Sequence, residues 1–254
     1  KMVHIRTNRP AEFVFIPGQF ARISSEKRTS VNSNSEPIWR AQSITSGHHD
    51  KFLEFLIILG EDGQFSKELQ KLKIGDNLFL DNQNYGYLTL DRFPSAGDLW
   101  LFASGSGIAP FVSILKHFQA LKNFKTVNLV LSLRDALSLT YYNDFLDLND
   151  IAKHPEIKKK FTFIPIITQE ITTVKGLVRG KNISYNSSKK RFTSMLIDGR
   201  LEELIHCKLS LKESKIMLCG NPLMIKDTRN ILKNLGFKSS RKNIPGEIAV
   251  ENYW

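Results

Sequence analysis

Short runs in which apolar and polar residues alternate, separated by turn residues, fill the first third of the chain: Met2–Arg6, Phe13–Ile16, Gln19–Ile23, Phe52–Ile58 and Asn77–Leu80. A period of two with frequent turns predicts a small antiparallel barrel or sandwich. Within it, Ser66–Leu72 is the one helix-like stretch, and Thr29–Glu36, rich in Ser and Asn, reads as a loop. The period changes after Phe93-Pro94-Ser95-Ala96-Gly97. Leu99–Ala103 is a continuous apolar strand, and Phe111, Ile114, Leu115, Phe118 and Leu121 follow at helical spacing behind Pro110, a good first-turn residue. Further strands are predicted over Val127–Leu131, Phe161–Ile167 and Ile216–Cys219. Helices are predicted over Tyr141–Leu148 and from Asn221-Pro222 to Gly236. Strands alternating with helices predict a doubly wound parallel sheet. The expected organisation is therefore an N-terminal β-barrel over residues 1–95 and a C-terminal α/β domain over 96–254.

The two cysteines, Cys207 and Cys219, form no CxxC pair, and the six histidines show no metal-ligand spacing. A disulfide scaffold and a structural metal are both disfavoured, and a reducing, cytoplasmic compartment is expected. No apolar run reaches the roughly 20 residues of a membrane helix. The alternation begins at Met2 with no lead-in, as if another strand once preceded it.

Charge is lopsided. The net +11 comes entirely from residues 151–254, which hold 20 basic and 9 acidic side chains against 16 and 16 before them. Such a field attracts nucleic acid, an acidic protein or a phosphorylated ligand, or is simply a solvated surface. Lys158-Lys159-Lys160 and Lys189-Lys190-Arg191 lack interleaved aromatics, which argues against a base-stacking platform and against nucleic acid as the partner.

The sharpest local feature is the turn after the Leu99–Ala103 strand, Ser104-Gly105-Ser106-Gly107-Ile108-Ala109-Pro110. Its glycines let the backbone approach a pyrophosphate, although a Gly-Ser-Gly turn serves equally as a plain strand-to-helix connection. Five motifs in order resemble the bacterial ferredoxin–NADP reductase family. Arg40-Ala41-Gln42-Ser43 is similar to its Arg-x-Tyr-Ser flavin motif. Gly63-Gln64-Phe65-Ser66 resembles its flavin-diphosphate turn, and Gly105–Pro110 its nicotinamide-nucleotide turn. Cys219-Gly220-Asn221-Pro222 and Val250-Glu251-Asn252-Tyr253-Trp254 match two further signatures.

The resemblance implies an FAD-dependent reductase, most simply a monomer, exchanging hydride with NADP(H) and single electrons with ferredoxin or flavodoxin. An NADH-preferring reductase serving an oxygenase shares both domains and is the alternative. By resemblance Ser43, Cys219, Glu251 and Tyr253 are the catalytic candidates. Arg40, Ala41, Gln42, Ser43, Leu56, Ile57, Ile58, Gln64, Phe65, Ser66, Ser106, Tyr253 and Trp254 are the FAD set. Gly105, Gly107, Ile108, Arg134, Thr168, Gln169, Lys181, Gly220 and Asn221 are the NADP set. Arg40 offers a planar fork to a pyrophosphate, and Ser66 is expected to head its helix, where its hydroxyl and the preceding N–H groups hold phosphate oxygens, simply cap the helix, or do both. Cys219 is expected beside the nicotinamide, steering geometry rather than attacking as a nucleophile. Gln42 stands where the family has a flavin-stacking Tyr, while Gln169 and Lys181 stand where it commonly has Arg.

Overall fold

The computed structural model describes residues 2–25, 37–93, 97–139, 151, 153–241 and 244–252. The loop expected at Thr29–Glu36, the helix at Tyr141–Leu148, the boundary at residue 95, and both Tyr253 and Trp254 lie outside the described residues.

Five strands form the first unit: β1 (Met2–Asn8), β2 (Phe20–Ser24), β3 (Arg40–Ser43), β4 (Phe52–Ile58) and β5 (Phe79–Tyr85). β1 pairs with β4, β2 lies between β3 and β5, and all three pairings are antiparallel. An Ile44–Phe55 bridge joins the two small sheets into a barrel. Its core is built from Phe15, Ile23, Ile44, Leu53 and Phe55, whose apolar faces have nowhere else to hide from water. Helix α1 (Gln64–Lys71) closes the barrel with Phe65 and Leu69.

The second unit is one seven-stranded sheet, ordered β10-β9-β8-β7-β6-β11-β12. β6 (Asp98–Ser104), β7 (Thr126–Leu133), β8 (Phe161–Ile167), β11 (Ser214–Gly220) and β12 (Ile248–Asn252) run parallel. β9 (Thr173–Val178) and β10 (Lys181–Asn186) form an antiparallel edge hairpin. Helices that lie wholly within the described residues include α2 (Ala109–Leu115), α3 (Phe118–Leu121), α4 (Pro155–Lys158), α5 (Phe192–Ile197), α6 (Arg200–Ile205) and α7 (Pro222–Asn234). Both faces of the sheet are covered: Leu99 and Leu101 of β6 point into one core with Phe111, and Trp100 and Phe102 into the other with Phe192. That two-sided burial is why β6 reads as an unbroken apolar run.

Three expectations need correction. Phe13–Ile16 is not a strand. Phe13 and Phe15 are buried while Val14 and Ile16 are exposed, so the alternation is real, but side chains take the backbone carbonyls: Arg9 Nε donates to Phe13 O at 2.8 Å and Asn84 Nδ2 donates to Val14 O. The helix behind Pro110 is two pieces, broken at His117 (φ −93°, ψ 62°). The sheet is mixed rather than purely parallel, because of the β9–β10 hairpin.

Glu54 of β4, 4% exposed, accepts from Arg6 Nε and Nη2 at 2.8 and 2.7 Å and from Lys116 Nζ at 3.2 Å. His4 Nε2 lies 3.4 Å away. Burial works against ionisation, but these donors hold the carboxyl down to about 2, from an ordinary 4.5. A carboxylate whose folded value is depressed stabilises fully above its unfolded value and loses that contribution as pH falls through its folded value. The window here runs from about pH 4.5 to 2 and holds roughly 3 kcal/mol. Urea titrations of the wild type and Glu54→Gln should therefore diverge at pH 7 and converge near pH 2. Parallel curves across that range would remove Glu54 from the acid limb.

Candidate functional site

β6 is the strand at which the sheet reverses order, with β7 on one side and β11 on the other, and at such a point the carboxyl ends of the strands open a crevice. The crevice is lined by backbone. A Cβ on Gly107 would lie 2.3 Å from Cys219 O, and one on Gly220 (φ +131°) would lie 2.6 Å from Ser104 O. Ser104 Oγ accepts the Asn221 N–H at 2.8 Å, tying the turn after β6 to the turn after β11. Asn221 Oδ1 accepts from Leu223 N at 2.9 Å and caps α7, as expected from Asn-Pro. Gly105 (φ +54°), Ser106 and Ile108 complete the turn, and Ile108 is buried against the core below.

Across the crevice stands the barrel. Ser43 Oγ donates to Glu251 Oε1 at 3.4 Å, joining residues 208 positions apart. Glu251 pairs in register with Cys219 on the neighbouring strand. Burial pushes the Glu251 carboxyl up to about 7 against the opposing effect of the Ser43 hydrogen bond. The Cys219 thiol, fully buried, is pushed well above its usual range by burial and then by the Glu251 charge. It stays protonated, which fits a spacer and not a nucleophile.

Gly86 belongs to this site and was not among the sequence candidates. With φ +102° it sits so close that a Cβ would meet Glu251 Oε2 at 2.9 Å and Phe20 Cδ1 at 3.0 Å. Phe20 stacks on Tyr85, ring centroids 5.7 Å apart. The signal in the sequence was Tyr85-Gly86-Tyr87, a glycine closing an alternating run.

Among the other flavin candidates, Arg40 and Ala41 are exposed on β3, and Gln42 is half-buried opposite Ala21 of β2. Arg40 Nη1 donates to Trp39 O at 2.9 Å. Leu56 packs into the core of the second unit, Ile57 into the barrel, and Ile58 is exposed. Ser66 does not head α1. The helix starts at Gln64 behind Gly63, with no side-chain cap, and Ser66 Oγ instead accepts the Gly60 N–H at 3.0 Å. That bond folds the Gly60–Gly63 turn back on the helix, leaving Gln64 exposed and Phe65 buried.

Arg134, Thr168 and Gln169 lie together beyond the carboxyl ends of β7 and β8. Gln169 N donates to Arg134 O at 2.9 Å, and the Thr168 hydroxyl is taken by Leu133 O at 3.0 Å. Lys181 is elsewhere. It pairs with Val178 across the Arg179-Gly180 turn, whose Gly180 N donates to Phe161 O at the amino end of β8. A whole strand, about 20 Å, separates it from Arg134. The hairpin returns to the crevice end only after β10, where Ser187 Oγ donates to Glu170 O at 2.6 Å and Glu170 Oε1 accepts from Ala136 N. The exposed Lys189-Lys190-Arg191 run follows directly. It is Ser187, just before this cationic run, and not Lys181, that these bonds place at Arg134's end of the sheet.

No helix among the described residues is long and apolar enough to cross a membrane, and among them no cluster of three His, Cys, Asp or Glu side chains is placed to hold a metal ion. Residues 101–230 match the model of the oxidoreductase NAD-binding domain family. The flavodoxin/ferredoxin–NADP reductase of Buchnera aphidicola subsp. Baizongia pistaciae is 34% identical over 94% of this chain and 88% of its own length. The ferredoxin–NADP reductase of Pseudomonas aeruginosa is 29% identical over 97% and 89%. A crystal structure of a ferredoxin NADP+ reductase from Neisseria gonorrhoeae with bound FAD and NADP superposes with a TM-score of 0.83 at 33% identity, covering 100% of this chain and 93% of that one. With a barrel serine meeting a sheet-edge glutamate over a glycine-lined crevice, and likeness along nearly its whole length, the chain belongs to the flavodoxin/ferredoxin–NADP reductase family.

Proposed function

We propose that this chain is an FAD-dependent reductase that transfers electrons between NADP(H) and ferredoxin or flavodoxin. The observation that carries the reading is the meeting of Ser43 and Glu251 at 3.4 Å, one from each unit, with Cys219 in register beside Glu251. Bound FAD would supply the N5 atom that exchanges hydride with nicotinamide C4 and would pass electrons singly to the carrier.

The residues fit these groups. The Gly60–Ser66 turn presents backbone to a diphosphate, the exposed Arg40 of β3 is the charged fork for it, and Gln42 and Ser43 line the strand that faces Glu251. Tyr253 and Trp254 are assigned to the flavin by family likeness alone. On the nucleotide side, Gly107 and Gly220 leave room that any side chain would fill, which suits a ligand pressed against backbone. Asn221 flanks that space, and Ser106 of the Gly107 turn is the flavin's neighbour. Arg134 and Arg191 hold the 2′-phosphate, with Gln169 a neutral neighbour. The basic surface after residue 150 receives an acidic carrier, and the enzyme works as a monomer in the cytoplasm.

The test is coenzyme kinetics on the purified yellow protein. A charge-assisted hydrogen bond is worth about 1.5–3 kcal/mol, so Arg134→Ala should cut kcat/KM for NADPH roughly ten- to a hundredfold and spare NADH. Lys181→Ala should change neither. Protein that binds no added FAD overturns the reading, and equal wild-type use of NADH and NADPH favours the oxygenase-type alternative.

A further inference from the structure

Behind the crevice, α2 is joined to the barrel by a polar assembly that takes no direct part in the chemistry above. Ser113 Oγ donates to Ser46 O at 2.8 Å, with both residues fully buried. One turn on, Lys116 Nζ donates to Glu54 Oε2 at 3.2 Å. The two acceptors are one unit, because the Glu54 N–H donates to Ser46 Oγ at 3.2 Å and the Thr45 N–H to Glu54 O at 2.9 Å. Next along the chain, the His117 ring packs against His48 of the same barrel loop, centroids 4.3 Å apart, and His48 against His49 at 3.6 Å.

Two donors three residues apart lie on one helix face. Gripping two linked acceptors, they fix both the rotation of α2 about its axis and its position along it. The apolar contacts of the seam, Leu56 and Leu88 with Ile108 and Ile114, hold the units together without direction. All seven residues of α2 are buried, and the Gly105–Ile108 turn leads straight into it. A helix of this length spans only about 10 Å, so it transmits position rigidly.

We propose that Lys116 and Ser113 are positioning residues, which clamp α2 to Glu54 and Ser46 so that the turn at the other end of the helix presents the nicotinamide at transfer distance from the flavin. This rests on the functional reading above. The clamp touches neither ligand and acts only through placement. A misplacement of about 1 Å can cost up to a hundredfold in rate, and partial loosening should cost about tenfold.

The experiment uses FAD-loaded wild type, Lys116→Met, Lys116→Arg and Ser113→Ala. Rapid-mixing absorbance follows flavin reduction by NADPH, and the long-wavelength charge-transfer absorbance of the oxidised flavin with NADPH reports how closely the two rings stack. Lys116→Met and Ser113→Ala should reduce about tenfold more slowly and show a weakened charge-transfer band, with the Kd values for FAD and NADPH unchanged. Lys116→Arg should restore both signals to within about twofold. The proposal is overturned by an unchanged band in Ser113→Ala and Lys116→Met, or by rate losses that only follow loss of FAD. If Lys116→Met fails to fold, Ser113→Ala and Lys116→Arg decide the matter alone. Wild-type protein that takes up no FAD, or is not reduced by NADPH, speaks against the functional reading and is seen before any variant is made.

Discussion

Replacing Gly107 with alanine is expected to slow reduction of bound flavin by NADPH about a hundredfold while leaving FAD affinity unchanged. The added methyl would lie 2.3 Å from Cys219 O and 2.5 Å from Gly220 Cα, and both are backbone atoms of β11 that no rotamer change can move. Restoring ordinary contact requires the Gly105–Ile108 turn to retreat by roughly 1 Å, and displacements of that size cost about two orders of magnitude in positioned reactions. Strain of this kind also costs about 1–3 kcal/mol of stability. With FAD held from the barrel side, as proposed, its absorption spectrum and Kd should match the wild type. Measuring NADPH reduction and FAD affinity in the same preparation checks both halves. A variant with normal reduction would show that the turn does not contact the nucleotide.

Glu251→Gln is expected to give a second large loss, also about a hundredfold, accompanied by a gain in stability. Donating hydride leaves the nicotinamide positively charged, and an ionised carboxylate facing it stabilises that charge. Because burial raises the Glu251 carboxyl to about 7, wild-type flavin reduction should climb with pH through that value, and the variant should show no such rise. The stability effect has the opposite sign to that of Glu54. A carboxyl whose folded value lies above its unfolded one keeps a proton in the folded state that the unfolded chain gives up. Stability therefore falls as pH rises from about 4.5 to 7 and stays at the lower level above it. The penalty is at most about 3 kcal/mol. Glutamine removes it, so the variant should melt at higher temperature than wild type at pH 8 and at the same temperature near pH 4. Equal melting at both pH values, with an unchanged rate profile, would show that Glu251 does not titrate in this range.

What could be read from the sequence was what is local. The turn at Gly105–Ile108 announces itself through an apolar strand that ends in glycine, and Asn221-Pro222 is a helix start in any context. The Ser43–Glu251 contact spans 208 positions, and no periodicity points to it; only likeness to a family placed both residues in one site. The β9–β10 hairpin escaped notice because its turn is Arg179-Gly180, with Arg179 at φ 49° where Asn or Asp would have signalled it. Lys181 stands where the family commonly has Arg, but the hairpin carries it to the far end of the sheet and brings Ser187 back to the crevice end. Ser66 misled for a related reason: a serine near a helix start is usually a cap, but here the helix begins two residues earlier.

Leu56 of the barrel and Leu88 just beyond it are buried in the same apolar cluster as Ile108, Phe111 and Ile114 of the second unit. The two units are thus separate by topology and continuous by packing. A chimera that exchanged one barrel for a relative's at the chain boundary would cut through this shared interior and leave a mismatched surface on each side. The heritable module of this protein is larger than either sheet, and recombination among relatives should succeed only where the crossover carries Leu56, Leu88 and α2 together.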